Sequence, residues 1–165
     1  MHDQDTKIRL RLTVALAVVA SPAPPLDGAR PVRPDADRAG LARLMLDAYR
    51  GTVDDEGGTE AGALAEVDAL LAGVYGPFDG DASELVERDG IPVAATLVTT
   101  WGGGPFVAFS MTRPAWQRRG LARAGLLRAM ARLAARGETR LDLVVTAANE
   151  PATRLYHSLD FVERA

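Results

Sequence analysis

Between Phe106 and Thr146 the chain reads strand, glycine-opened helix, strand, and this run most narrows the folds open to it. "FVAFSMT" and "TRLDLVVTA" have the composition of buried strands. Between them Ala122, Leu126, Met130 and Leu133 fall on one helical stripe from about Gly120 to Arg136, and Gly137 closes it. The helix opens on "PAWQRRGLARAGLLRAM" (Pro114 to Met130), with two glycines and four arginines. A helix start carries backbone N–H groups without partners and a partial positive charge. A glycine there lets the backbone approach a ligand closely. Gln117, Arg118 and Arg119 enter the turn, Gly120 removes the side-chain obstacle, and Leu121 and Ala122 begin the helix. The turn suits an anion such as a diphosphate, with Arg118, Arg119 and Arg123 adding charge.

The rest of the sequence places this unit in a mixed α/β domain. Near the N-terminus Ile8, Leu10, Leu12, Val14, Leu16 and Val18 alternate with polar or small residues, the period of a strand. "KIRLRLTVALAVVASPA" also has the charge-apolar-small order of a signal peptide, but an apolar targeting core has no reason to alternate. "SPAPPLDGARPVRP" (Ser21 to Pro34) reads as a linker. Leu41, Leu44, Met45 and Ala48 mark a helix capped by Asp35 or Asp37. An acidic loop, "GTVDDEGGT", precedes a second helix from about Glu60 to Ala72. "SELVERDGIPVAATLVTTW" is a hairpin about Asp89-Gly90. A short helix, "NEPATRLYHSL", and a strand fragment, "DFVERA", end the sequence.

The chain has 165 residues, which suits one core, and its net charge of −3 argues against nucleic acid as a partner. Without cysteine there is no disulfide and no cysteine nucleophile, and two histidines leave little for a metal site or a Ser-His-Asp triad. No apolar run is long enough to suggest a membrane span. The expected location is the cytoplasm.

Two motifs in order carry a family resemblance. Gln117, Gly120 and Ala122 match Gln/Arg-x-x-Gly-x-Gly/Ala; Asn149, Ala152, Leu155, Tyr156, Leu159 and Phe161 match Asn, Ala, Leu-Tyr-x-x-Leu-Gly-Phe. From about Arg30 to Glu163 the chain resembles the GNAT family of acetyl-CoA-dependent N-acetyltransferases. The resemblance implies a mixed, mostly antiparallel sheet, splayed at its centre and flanked by helices. It divides the chain into an N-terminal strand and linker (1–29) and the acetyltransferase domain (30–165). It implies acetyl-CoA as cosubstrate, no metal, and an amine of a small molecule or peptide as acceptor, attacking the thioester directly. The backbone of Ser110, Met111 and Thr112 would face the pantetheine, which Asn149 would touch. The diphosphate would lie on Gln117, Arg118, Arg119, Gly120, Leu121 and Ala122, and Tyr156 would protonate the leaving thiolate. Asn149 also reads as the cap of the helix before Pro151.

The base is open between Glu84 and Glu87, on a probable strand near the centre of the sheet. Asp54, Asp55 and Glu56 lie where the family places acceptor residues, and an acidic loop favours a cationic amine. Tyr49, Tyr75 and Trp101 either line that pocket or pack. Two features depart from the family. Asp160 stands where the motif has glycine, a position that often needs positive φ. The sequence also stops soon after Phe161, where the family continues into a strand that walls the acceptor site. The alternating strand is then an addition to the sheet, in its own chain or a partner's, and a bare edge would favour a homodimer. The shortened end also leaves an alternative, a catalytically inactive acyl-CoA-binding sensor or partner domain.

Overall fold

The computed structural model describes residues 7–17 and 23–165. Val18 of the expected strand and Ser21 of the expected linker lie outside those residues. Among the described residues seven strands form one sheet: β1 (Arg9–Ala15), β2 (Ala29–Pro31), β3 (Glu84–Arg88), β4 (Ile91–Trp101), β5 (Gly104–Thr112), β6 (Arg140–Thr146) and β7 (Val162–Glu163). The helices are α1 (Pro34–Tyr49), α2 (Glu60–Leu71), α3 (Leu121–Ala135) and α4 (Glu150–Ser158). The strands lie side by side in the order β2-β3-β4-β5-β6-β1-β7. Every neighbouring pair is antiparallel except β5 and β6, which run parallel. This is the mixed, mostly antiparallel sheet expected from the sequence. No helix of the described residues is long and apolar enough to cross a membrane.

Strand alternation assigns the helices to the two faces of the sheet. Leu97 packs with Leu41, Leu44 and Val67 of α1 and α2, whereas its neighbour Val98 packs with Leu126 and Leu133 of α3 and with Tyr156 of α4. On the second face α3 comes in close at Gly125, where an added Cβ would lie 2.4 Å from Oγ1 of Thr96 on β4.

The alternating N-terminal strand is internal to the sheet. β1 pairs with β6 along its whole length, from Arg9↔Thr146 to Ala15↔Arg140, and β7 pairs with its other edge. Leu12 and Val14 point into the core. Of the two placements expected for this strand, in its own chain's sheet or in a partner's, the structure shows the first. One buried carboxylate fixes this arrangement. Asp142 of β6 accepts hydrogen bonds from Arg11 of β1 (3.0 Å) and from Arg164 (2.9 Å), just after β7. Burial works to raise the Asp142 pKa, but the Thr13 hydroxyl and the Arg11 guanidinium outweigh it and hold it below the usual carboxylate value.

Two local expectations need correction. Part of the expected linker forms β2, a three-residue edge strand on β3. Its proline fits an edge, where no ladder N–H is needed. Neither Asp35 nor Asp37 caps α1. Arg33 occupies the cap position without a side-chain bond, Pro34 starts the helix, and Asp37 accepts the Arg33 N–H (2.6 Å) from inside the first turns.

Candidate active site

The site begins where β5 and β6 part. Their pairing is confined to Phe106↔Asp142 and Val107↔Leu143. On the other side of β5, Leu97 of β4 faces Phe109 while Val98 faces Val107, so Ala108 is an extra, bulged residue. A bulge bends its strand, and this one falls just where β5 leaves β6. Among the described residues, no strand lies beside one edge of β5 from Ala108 to Thr112.

Two clefts meet in the gap. The first, a cavity of about 630 Å³, is bordered by Ser110, Met111 and Thr112 of β5 and by Gln117, Arg118, Gly120, Leu121 and Ala122 at the start of α3. We call it the cradle cleft. Gly120 is the cap residue of α3 with φ +76°, no side chain caps the helix, and no acidic residue lies in its first turn. Arg118 is also left-handed, with φ +62°. The first N–H groups of α3 thus have no intrahelical partner and open onto the cavity. Gln117 Nε2 donates to the Thr112 carbonyl (3.3 Å), tying the turn to β5. Thr112 Oγ1 is buried and has no hydrogen-bond partner among the described residues. Arg119 does not border this cavity; its guanidinium lies 4.7 Å from the ring centroid of Trp116. Arg123, which does, donates to Ser158 Oγ (2.8 Å).

The second cavity, of about 590 Å³, holds Asp54, Asp55, Glu56 and Glu66, against Arg9 of β1 and Arg50. It is the acidic cleft. Tyr49, Ser110, Asn149, Ala152 and Tyr156 border both cavities.

The end of α4 holds Tyr156 in place. Asp160 N–H donates to the His157 carbonyl and Phe161 N–H to the Tyr156 carbonyl, both at 3.1 Å. This is a Schellman closure, with its hydrophobic contact supplied by the Tyr156 and Phe161 rings, 5.8 Å apart. Asp160 has φ +66°, the conformation anticipated for the glycine position of the motif. Burial pushes the Tyr156 hydroxyl up to about 12; Ser110 pulls it down and the charge of Asp54 raises it further. Tyr49 is raised as well, by burial first and then by Tyr156 and Asp54.

At the other end of α4, Asn149 accepts the Ala152 N–H (3.3 Å) as cap. Its Nδ2 donates to Asp54 Oδ2 (3.2 Å), and Thr146 Oγ1 donates to Asp54 Oδ1 (2.7 Å). The acidic loop after α1 therefore reaches across to the end of β6 and the start of α4.

Neither carboxylate expected as base is in either cavity. Glu84 lies under α3, bonded by Arg128 (2.8 and 2.9 Å) and Arg132. Burial would raise its pKa, but those two arginines hold it below the usual value. Glu87 is bonded to Arg30 (2.5 Å), beside Asp37. Of the three aromatics set aside, only Tyr49 borders both clefts. Tyr75 donates to Glu66 and packs edge-on against Phe109, and Trp101 is half exposed outside both clefts.

A family model described as the acetyltransferase (GNAT) family matches residues 75–161, over half of the chain. The chain belongs to this family. The GNAT match takes in β4, β5, the cradle turn, α3, β6 and α4. No curated protein sequence matches the chain. Among solved structures, a GCN5-related N-acetyltransferase from Sphaerobacter thermophilus is similar to this GNAT chain at TM-score 0.72 and 21% identity, covering 94% of this chain and 48% of that one. The ribosomal-protein-S18-alanine N-acetyltransferase of Escherichia coli gives TM-score 0.67 and 21% identity, over 85% of this chain and 80% of that one. The protein yncA of Salmonella typhimurium, solved with its cofactor acetyl-CoA, gives 0.58 and 20%, over 79% and 76%. The chain thus spans about half the length of the Sphaerobacter protein. At these identities the likeness is one of fold.

Proposed function

We propose that this chain binds acetyl-CoA in the cradle cleft and transfers the acetyl group to an amine that enters through the acidic cleft. The observation that carries this is the parting of β5 and β6 after two residue pairs, with Tyr156 and Ser110 bordering both clefts at the gap. The cradle suits the cofactor in three ways. The α3 start is uncapped and free of acidic residues, Gly120 has open space about it, and Thr112 Oγ1 is buried without a partner among the described residues. A structural neighbour, yncA, carries acetyl-CoA as its cofactor. Bound acetyl-CoA supplies an activated acetyl thioester.

The N–H groups of Gly120, Leu121 and Ala122 hold the diphosphate, with Arg118 and Arg123 beside it. The free edge of β5 from Ser110 to Thr112 offers backbone donors and acceptors to the extended arm. An N–H on that edge polarises the acyl oxygen. Tyr156 keeps its Oη proton at neutral pH. A thiol such as cysteine has a pKa of about 8.5, so full transfer from a hydroxyl at about 12 is uphill by on the order of 5 kcal/mol. Tyr156 therefore acts first as a hydrogen-bond donor to the leaving sulfur. Four carboxylates against two guanidiniums favour an acceptor that arrives as a cation. With acetyl-CoA as partner, the protein works in the cytoplasm. The inactive-sensor reading drew on the shortened C-terminal end; against it, β1 pairs with β6 and its Arg9 borders the acidic cleft.

Calorimetric titration with acetyl-CoA tests this. The parent is expected to bind at about micromolar Kd (about −8 kcal/mol). Gly120→Glu, which sets a carboxylate against the diphosphate, abolishes binding, and Gly120→Ala, which adds only backbone strain, retains it. A parent that binds no acetyl-CoA would sink the reading.

A further inference from the structure

We propose that Asp54 is the group that receives the acceptor amine and takes its proton, an inference that rests on the transfer reading above. The structure moves both expected bases out of the site, and four other carboxylates border the acidic cleft. Two of these are otherwise engaged, and a third is unanchored among the described residues. Asp55 closes its own loop, accepting the N–H groups of Gly51 (2.8 Å) and Gly57 (2.9 Å). Glu66 accepts the Tyr75 hydroxyl. Glu56 is exposed, with no hydrogen bond or ion pair among the described residues.

Asp54 differs in where its oxygens are anchored. One accepts from Thr146 at the last residue of β6, the other from Asn149, which borders both cavities. The carboxylate thus stands at the junction where a nucleophile from the acidic cleft meets a thioester in the cradle. Each bond uses one acceptor position, and a carboxylate has about four, so both oxygens keep capacity toward the cavity. The two donors also fix its orientation, as a positioned base requires. That its charge acts on both Tyr49 and Tyr156 agrees with this placement.

The step balances as follows. An alkyl ammonium, pKa about 10.4, cannot attack until it loses a proton. Asp54 Oδ takes that proton before the C–N bond forms, and the second proton, which nitrogen sheds once the bond has formed, goes to water. As the C–S bond breaks, sulfur keeps the electron pair and accepts a hydrogen bond from Tyr156 Oη. Solvent then carries the proton from Asp54 to the thiolate, so that one of the two amine protons leaves with the thiol and the other is released.

The test uses the full chain with Asp54→Asn and Asp54→Glu. The probes are acetyl-CoA with n-butylamine, 1,4-diaminobutane and lysine amide, all charged at pH 7, and with methoxyamine, which is neutral there. Thiol release and product mass report turnover; calorimetry with acetyl-CoA and melting report the cradle and the fold. The expected result is a loss of about 100-fold or more in kcat/KM for the charged amines in Asp54→Asn. Turnover of methoxyamine changes by less than about threefold, Asp54→Glu recovers part of the charged-amine rate, and acetyl-CoA affinity is unchanged. Equal losses for charged and neutral amines would reduce Asp54 to a strut between the loop and β6, and no loss at all would overturn the assignment outright. A parent that binds acetyl-CoA but acetylates none of the amines overturns the transfer reading, and the role of Asp54 with it.

Discussion

In the cradle cleft the groups proposed to meet a ligand are mainly backbone N–H and C=O groups, at the start of α3 and along the free edge of β5. In the acidic cleft they are side chains brought from five stretches: Tyr49 of α1, Asp54 of the following loop, Glu66 of α2, Arg9 of β1 and Thr146 of β6. The first kind of site needs only local dihedral angles, and a run of six residues sets them. The second needs the sheet, both pairs of helices and the N-terminal strand to be in register. The cradle should therefore tolerate substitutions that scatter the acidic cleft, and disturbances of the sheet should fall hardest on the latter.

The largest effect should come from Asp142→Ala, which removes the shared partner of Arg11 and Arg164 at the vertex from which both clefts open. Both arginines are left partly exposed and can hydrate, so the loss is that of two charge-assisted hydrogen bonds, about 2–3 kcal/mol, to be read from denaturant unfolding. The pH dependence has a definite sign. The Asp142 pKa is lower in the folded chain, so its contribution is complete above the unfolded value of about 3.9 and disappears as pH falls through the folded value. Below about pH 4 the parent should lose melting temperature more steeply than the variant.

Next, Tyr156→Phe should lower kcat by about 100-fold while leaving acetyl-CoA affinity intact, because it removes a proton donor and no packing surface. Equal loss of binding and turnover would show that the two clefts are not separable at this residue. Gly125→Ala should cost about 1–3 kcal/mol, because its Cβ would lie 2.4 Å from Thr96 Oγ1. Adding Thr96→Ala should restore much of that in a double-mutant cycle. Both changes lie on the α3 side, so alkyl-amine selectivity should stay as it is. The smallest effect should be a gain. Asp160→Gly relieves a left-handed residue, for about 1 kcal/mol or less of added stability by melting, with Tyr156 still held by the same closure.

What could be read from the sequence follows the same division. Gln117, Gly120 and Ala122 announce the cradle because glycine chemistry and helix polarity are local. Asn149 as cap and Asp160 at positive φ were legible for the same reason. Alternation showed that Leu12 and Val14 share a buried face, but alternation names a face and not a partner, so the place of β1 between β6 and β7 was not legible. Glu84 looked available on a strand because Arg128 and Arg132, which neutralise it, lie 44 and 48 residues away on α3. Asp54 was visible as one acid in an acidic loop. Its reach to Thr146 and Asn149, 92 and 95 residues on, is a product of the assembled sheet. β2 escaped because three residues ending in proline carry no periodic signal.

The placement of β1 has a consequence for how the protein is made. A ribosome delivers residues 9–15 more than a hundred residues before residues 140–146, the strand they pair with. Until β6 emerges, β1 has neither of its partners, and an alternating strand with open edges is an invitation to other chains. The hairpins of β3, β4 and β5 can close early, but the half of the sheet that walls the acidic cleft must wait until residues 140–146 have been made. Arg9 and Arg11 give that waiting strand positive charge, which keeps nascent copies apart until their own β6 arrives.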